Sequence, residues 1–219
     1  RKTLIDLMEW SRGILENHSV NKKRVSAKKD PANMIWLWGQ GQKPQLPLFK
    51  KKFGVEGSVI SAVDLVNGIG KLVGLKIINV PNATGYYDTN YKGKAQYALK
   101  SLKKADFVFI HIEAPDEASH NGDLKMKIEC IERIDEEVIG TILSHYKMGG
   151  DFRILILPDH RTPVSKRTHT REPVCFVMSG KNISGNQQKT FSEKTAENSG
   201  LFFANGEDLM EYFIKGKNH

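Results

Sequence analysis

The sequence predicts an α/β fold in which a mostly parallel sheet is covered by helices on both faces. The main observation behind this is that short apolar runs alternate with segments of helical periodicity along most of the chain. A second is the composition, 39% hydrophobic and 26% charged over 219 residues, which suffices for a proper core in one domain or a domain with a small attachment. A third is that no internal repeat or low-complexity tract interrupts the alternation.

Taken in order, "LIDLMEWSRGIL" places Leu4, Leu7, Met8, Ser11, Ile14 and Leu15 on one helix face. The polar, basic stretch "ENHSVNKKRVSAKKDP" breaks that pattern and reads as a connection. After it come the apolar runs "NMIWLW", "GSVI", "LKIINV", "DFVFIHIEA", "FRILILP" and "PVCFVMSG", expected as strands. Between and after them "AVDLVNGIGKLV", "TNYKGKAQYALKSLKK", "LKMKIECIERIDEEVIGTILSHY" and "GEDLMEYFIKG" carry helical spacing. "GQGQKP" lacks the length and the Lys-Ser/Thr ending of a phosphate-cradling loop and reads as a turn.

Charge and cysteine usage exclude several classes. No apolar run approaches the roughly 18 residues of a membrane span, and Arg1-Lys2-Thr3 leads into a helix pattern rather than a secretory segment, so a cytoplasmic protein with no membrane partner is expected. The formal charge of +8 invites nucleic acid. However, Lys22-Lys23-Arg24, Lys50-Lys51-Lys52 and Lys103-Lys104 are scattered, without interleaved aromatics or a reader motif, and read as a solvated surface. Cys130 and Cys175 stand in apolar surroundings and read as buried thiols.

Chemistry concentrates where strands end. In open α/β sheets ligands gather beyond the carboxyl ends of the strands. "FRILILP" ends just before Asp159 and His160, with His169 further along the same loop, and "DFVFIHIEA" ends just before Asp116 and His120. The four-residue spacing of Asp116 and His120 puts both on one face if a helical turn begins there. All five residues are thus candidates to converge at one edge of one sheet. Carboxylates mixed with imidazoles suit divalent zinc, manganese or cobalt, and two such ions suit phosphoryl transfer. Arg161, Lys166, Arg167 and Arg171 lie among these candidates and could hold a small phosphorylated substrate. His111 alternates with Phe107 and Phe109 along a strand and reads as a core or supporting histidine, while His18, His145 and His219 carry no signal.

"HIEAPDEASHNGD" followed by "KIECIERID", "LPDHRTPVSKRTHTREPVCF", "NMIWLWGQG" and "NATGYYDTNYKGKA" resemble the cofactor-independent phosphoglycerate mutases of the archaeal-type branch, in the alkaline phosphatase superfamily. The likeness runs from about Asn33 to Phe213, with Cys175 standing where the family usually has proline. The resemblance implies an alkaline-phosphatase-like sheet and two divalent metal ions. Asp116, His120 and His169 would hold one ion; Asp159 and His160 would hold the other. It also implies interconversion of 3- and 2-phosphoglycerate in glycolysis through a phosphoserine. In that family the serine and a further aspartate ligand lie in an N-terminal segment ahead of an inserted domain, and nothing before Asn33 resembles either. Ser58 and Ser61 lie in an apolar strand-to-helix run, and Ser119 sits between ligands without the family context, so none replaces the nucleophile. The expectation is therefore a C-terminal portion with an incomplete sheet. Residues 1–30 would be the end of the inserted domain and a linker, and residues 31–219 part of the metal-binding domain. A metal-dependent phosphatase, a homoserine-kinase-like phosphotransferase, a non-catalytic binding module and a nucleic-acid binder are the other readings.

Overall fold

The computed structural model describes residues 2–146, 151–185 and 189–216; His219 lies outside them. Compactness divides the chain into two units, Arg1–Gln45 and Leu46–His219. In the first, α1 (Lys2–Asn17) is followed by α2 (Ser19–Ser26). The polar stretch read as a connection is thus partly helix. Its reason is tertiary: buried Asn21 donates to the carbonyls of Leu15 (2.6 Å) and Ala32 (2.7 Å), and its Oδ1 accepts from the Ala32 amide (2.9 Å). A fully used amide side chain fixes a helix in which Asn21 alone is buried and Lys22, Lys23 and Arg24 are exposed beside Val20 and Val25. "NMIWLW" forms no strand among the described residues. Instead, its backbone is tied to α1, where the Ile35 amide donates to Ser11 Oγ (3.0 Å) and the Leu37 amide to Met8 Sδ (3.3 Å).

The second unit holds the rest of the fold. Helix α3 (Phe49–Phe53) closes on Gly54 at φ 75°, the left-handed cap that glycine adopts without strain. Strand β1 (Gly57–Ile60) leads to α4 (Asp64–Leu72), β2 (Lys76–Ile77), α5 (Tyr91–Leu102) and β3 (Phe107–Ile110). The strands form a parallel sheet in the order β2-β1-β3, with Gly57 opposite Phe107 and Ile60 opposite Ile110. Parallel neighbours need crossover connections, and α4 and α5 supply them. Central β1 buries three of its four residues, as its unbroken apolar run requires. Gly70 lets α4 approach that strand, since a Cβ there would meet Val59 Cγ1 at 2.6 Å.

Beyond β3 come α6 (Ala114–His120) and α7 (Leu124–Arg133), which continues through a π-helical segment, Ile134–Gly140, into α8 (Thr141–His145). Tyr91, Ala95, Ala114, Cys130 and Val138 form one core cluster there, and Ile60, Val80 and Ala98 form another. Cys130 is buried and Cys175 half-buried, both as free thiols.

Strands β4 (Arg153–Ile156) and β5 (Val177–Gly180) pair antiparallel with each other, and α9 (Glu193–Glu197) and α10 (Gly206–Lys215) complete the unit. The fold is α/β with a parallel sheet flanked by helices. The expectation of one shared sheet edge needs correction, because among the described residues β4 joins β5 and not the β2-β1-β3 sheet. Apolar runs specify strands; their partners are set across long stretches of chain.

Candidate metal centre

The chain leaves β3 at Ile110 and turns into α6, with Pro115 in the first turn, where its missing amide hydrogen leaves no helix bond unmade. One helical turn then separates Asp116 from His120, and the spacing brings Asp116 Oδ2 to 3.2 Å from His120 Nε2. The loop after β4 supplies the other imidazoles. His169 Nε2 lies 3.4 Å from Asp116 Oδ1 and 3.1 Å from His120 Nε2. His160 stacks on His169, ring centroids 3.6 Å apart, with its Nδ1 4.0 Å from Asp116 Oδ1.

Asp116 is the centre of this group, and three imidazoles converge on it. Potential ligand atoms of Asp116, His160 and His169 all lie within 4.8 Å of one another. That grouping crosses the two ligand sets expected from sequence, because His160 joins Asp116 and His169 as well as its neighbour Asp159. Asp159 stands at the rim: its Oδ1 accepts from the His160 amide (3.0 Å), its Oδ2 is 3.5 Å from His160 Nε2, and its side chain is mostly exposed. The donors fit divalent ions of the zinc, manganese or cobalt kind, which accept carboxylates mixed with imidazoles. It also lacks competition: no lysine or arginine among the described residues pairs with Asp116, and the nearby Lys127 ammonium donates instead to the Thr162 carbonyl (2.9 Å).

The four basic residues fall into two pairs. Arg161 is tied back, its Nε donating to the Pro173 carbonyl (2.7 Å) beside the Arg161–Thr170 bridge. Arg167 has φ 53° and packs its guanidinium on Gly122, where a Cβ would meet Nε at 2.4 Å; its own carbonyl accepts from His120 Nδ1 (2.9 Å). Lys166 and Arg171 are exposed.

His111 stands in a group of its own. Its Nε2 is 3.1 Å from Glu113 Oε2 and its Nδ1 3.1 Å from Ser61 Oγ, which also accepts from the Val63 amide. Buried Lys94, at 1% exposure, donates to the His111 carbonyl (2.9 Å). Burial lowers the His111 pKa, raises that of Glu113 with help from Asp116 and Asp159, and pushes Lys94 down to about 8. Ser58 and Ser119 are fully buried; Ser58 Oγ bonds Ser101 Oγ (2.8 Å), and Ser119 Oγ returns to the Pro115 carbonyl (2.7 Å).

Sequence reading passed over Thr162, whose hydroxyl lies between Asp116 and His160. The available signal was its place two residues after a candidate ligand histidine, from which a short side chain can fold back. Lys94 and Glu113 had none, since a lysine on a helix and a glutamate after a strand are ordinarily solvated.

Comparison with known proteins places the chain among metalloenzymes. A family model described as the metalloenzyme superfamily matches residues 7–215. A 2,3-bisphosphoglycerate-independent phosphoglycerate mutase of Methanothrix thermoacetophila is 47% identical over 214 residues, covering 97% of this chain and 55% of the relative. A probable enzyme of the same name from Geobacter sulfurreducens is 46% identical, covering 96% and 53%. Among solved structures, the PH0037 protein from Pyrococcus horikoshii is 33% identical with a TM-score of 0.88, covering 98% of this chain and 56% of that one. The cofactor-independent phosphoglycerate mutase from Thermoplasma acidophilum, at 23% identity and a TM-score of 0.60, shares the fold. The chain spans about half the length of the curated relatives it matches. With a family model running over nearly all of its residues and a carboxylate–imidazole cluster at its heart, this chain belongs to the metalloenzyme superfamily.

Proposed function

We propose that this chain carries the metal-binding half of the chemistry that interconverts 3-phosphoglycerate and 2-phosphoglycerate. The observation behind this reading is the convergence of Asp116, His120, His160 and His169 in a chain 47% identical to a phosphoglycerate mutase. Asp116, His120 and His169 hold one divalent ion, and Asp159 and His160 contribute to a second. Such ions, when bound, stabilise charge on a phosphoryl group in flight and lower the pKa of a hydroxyl. The protein's own residues do the rest. Asp116 fixes the imidazoles around one carboxylate, and the Arg167 carbonyl orients His120 through its Nδ1 hydrogen. Arg161, Lys166, Arg167 and Arg171 give the loop the positive field that a phosphorylated substrate seeks, and Lys166 and Arg171 are exposed.

The transfer passes through a phosphoserine, and the serine comes from the part of the relatives that this chain does not match. Ser58, Ser61 and Ser119 are each buried, and their hydroxyls are already engaged by Ser101, His111 and the Pro115 carbonyl. A phosphatase or a homoserine-kinase-like transferase would use the same ligands with another acceptor.

The test incubates metal-loaded protein with 3-phosphoglycerate and follows 2-phosphoglycerate through a coupled enolase step. It is run with and without a separately made segment matching the remaining half of the relatives. The expected result is turnover only in the combined sample, and at most slow hydrolysis of an activated phosphate ester by this chain alone. Mutase turnover at ordinary enzyme rates by this chain alone would refute the division of roles, and hydrolysis without mutase activity in the combined sample would favour the phosphatase.

A further inference from the structure

We propose that Thr162 is a positioning residue of the metal centre, its hydroxyl locking His160 in the tautomer that turns an unprotonated Nε2 outward as a ligand. The assignment rests on the reading of Asp116 and His160 as metal ligands. Thr162 is 6% exposed, and its Oγ lies 2.6 Å from Asp116 Oδ1 and 3.0 Å from His160 Nδ1. An ionised carboxylate only accepts hydrogen bonds, so the single hydroxyl hydrogen points to Asp116. The oxygen then offers His160 a lone pair and nothing else. For the 3.0 Å contact to be a hydrogen bond, Nδ1 must carry the imidazole hydrogen, and in the neutral ring the lone pair falls on Nε2. One hydroxyl therefore sets the direction of both bonds.

Thr162 is itself held in place. Its carbonyl accepts from Lys127 on α7 (2.9 Å), the neighbouring Arg161 is bridged to Thr170 and bonded to the Pro173 carbonyl, and a β-branched side chain has few rotamers to choose from. His120 reaches the same state by a different route, its Nδ1 hydrogen donated to the Arg167 carbonyl (2.9 Å). This residue serves as an internal control, because its tautomer is fixed by main chain and does not depend on Thr162. Partners that orient a ligating histidine typically change metal affinity by about 10–100-fold when removed.

The experiment uses protein labelled with nitrogen-15 histidine, prepared metal-free, and reads each ring's tautomer from two-bond proton–nitrogen correlations. Manganese affinity is then measured on the same samples by titration. Thr162→Val removes the hydroxyl at nearly constant shape, and Thr162→Ser keeps the hydroxyl without the methyl group. The expected result is that His160 carries its hydrogen on Nδ1 in the parent and in Thr162→Ser. In Thr162→Val it loses that preference and manganese binds about 10–100-fold more weakly, while His120 is unchanged in all three. A Thr162→Val protein that keeps both the tautomer and the affinity would overturn the proposal. So would a Thr162→Ser protein as impaired as the valine variant, which would assign the effect to packing of the methyl group. If the parent binds no manganese, zinc or cobalt at all, the metal reading itself fails and takes this role with it. A failure confined to the tautomer readout leaves the metal reading standing.

Discussion

Asp116 is the residue on which the centre depends, because three imidazoles converge on its carboxylate. Asp116→Asn keeps the shape and removes the charge, and the expected loss of manganese or zinc affinity exceeds the roughly 10–100-fold typical of residues one shell further out. His120→Ala, which removes one expected ligand, should also weaken binding in the same titration, and unchanged affinity would remove His120 from the ligand set. Lys94 makes a different prediction. Its ammonium is buried, and lost hydration pushes its pKa down from the ordinary 10.5 to about 8. Between those values the unfolded chain holds the proton that the folded chain has released, so Lys94 makes stability rise with pH across that window. Tyr91 acts in the opposite sense above pH 10, since burial raises its pKa above the usual value. Tyr91 therefore does not oppose Lys94 between about pH 8 and 10, and comparison with a Lys94 variant separates the Lys94 share from those of Lys127, also lowered by burial, and Cys175, raised by it. Lys94→Met should flatten the stability–pH slope there by at most about 1.4 kcal/mol per pH unit, measured by urea unfolding at stepped pH.

The antiparallel pair β4-β5 and helix α10 depend on two close approaches. Gly180 ends β5 at φ 126°, and a Cβ there would meet the Phe152 carbonyl oxygen at 2.1 Å. Backbone cannot yield as a side-chain tip can, so Gly180→Ala should lower stability by more than the ~1–3 kcal/mol usual for overpacking. A midpoint unchanged in thermal unfolding would contradict that. Arg153 joins the pair to α10, its Nη1 donating to the carbonyls of Phe213 and Ile214 and its Nε to the Lys181 carbonyl. These are charge-assisted bonds to the open end of a helix, and Arg153→Met should cost about 1.5–3 kcal/mol. Helices α4, α5, α7 and α10 were legible as helices because their apolar spacing reports one buried face. Helix α2 was not, because its order comes from Asn21 reaching Ala32, eleven residues away, and "NMIWLW" was misread as a strand because apolar runs do not reveal whether a partner strand exists.

At the scale of the whole molecule, a metal that binds the folded protein and not the unfolded chain stabilises it by mass action. At a concentration one hundred times its dissociation constant the gain is about 2.7 kcal/mol. Manganese or zinc should therefore raise the unfolding temperature of this protein, and Asp116→Asn should abolish the rise; an equal rise in both would place the ion elsewhere. No helix among the described residues is long and apolar enough to cross a membrane, in keeping with the absence of any long apolar run in the sequence. The sequence by itself determined the fold class and the type of most elements, since hydrophobic periodicity is local and reports which face is buried. It also pointed to the loops after β3 and β4 as the places where carboxylates and imidazoles gather. Only the tertiary structure decided that β4 pairs with β5 rather than with the parallel sheet, that His160 shares Asp116 with His169, and that Arg161 and Arg167 are tied to neighbouring backbone. The burial of Lys94 and the place of Thr162 between two candidate ligands were decided there as well. Each of these depends on contacts between residues distant in the chain, 46 positions apart for Thr162 and Asp116, and a local pattern carries no record of which distant segment closes on it.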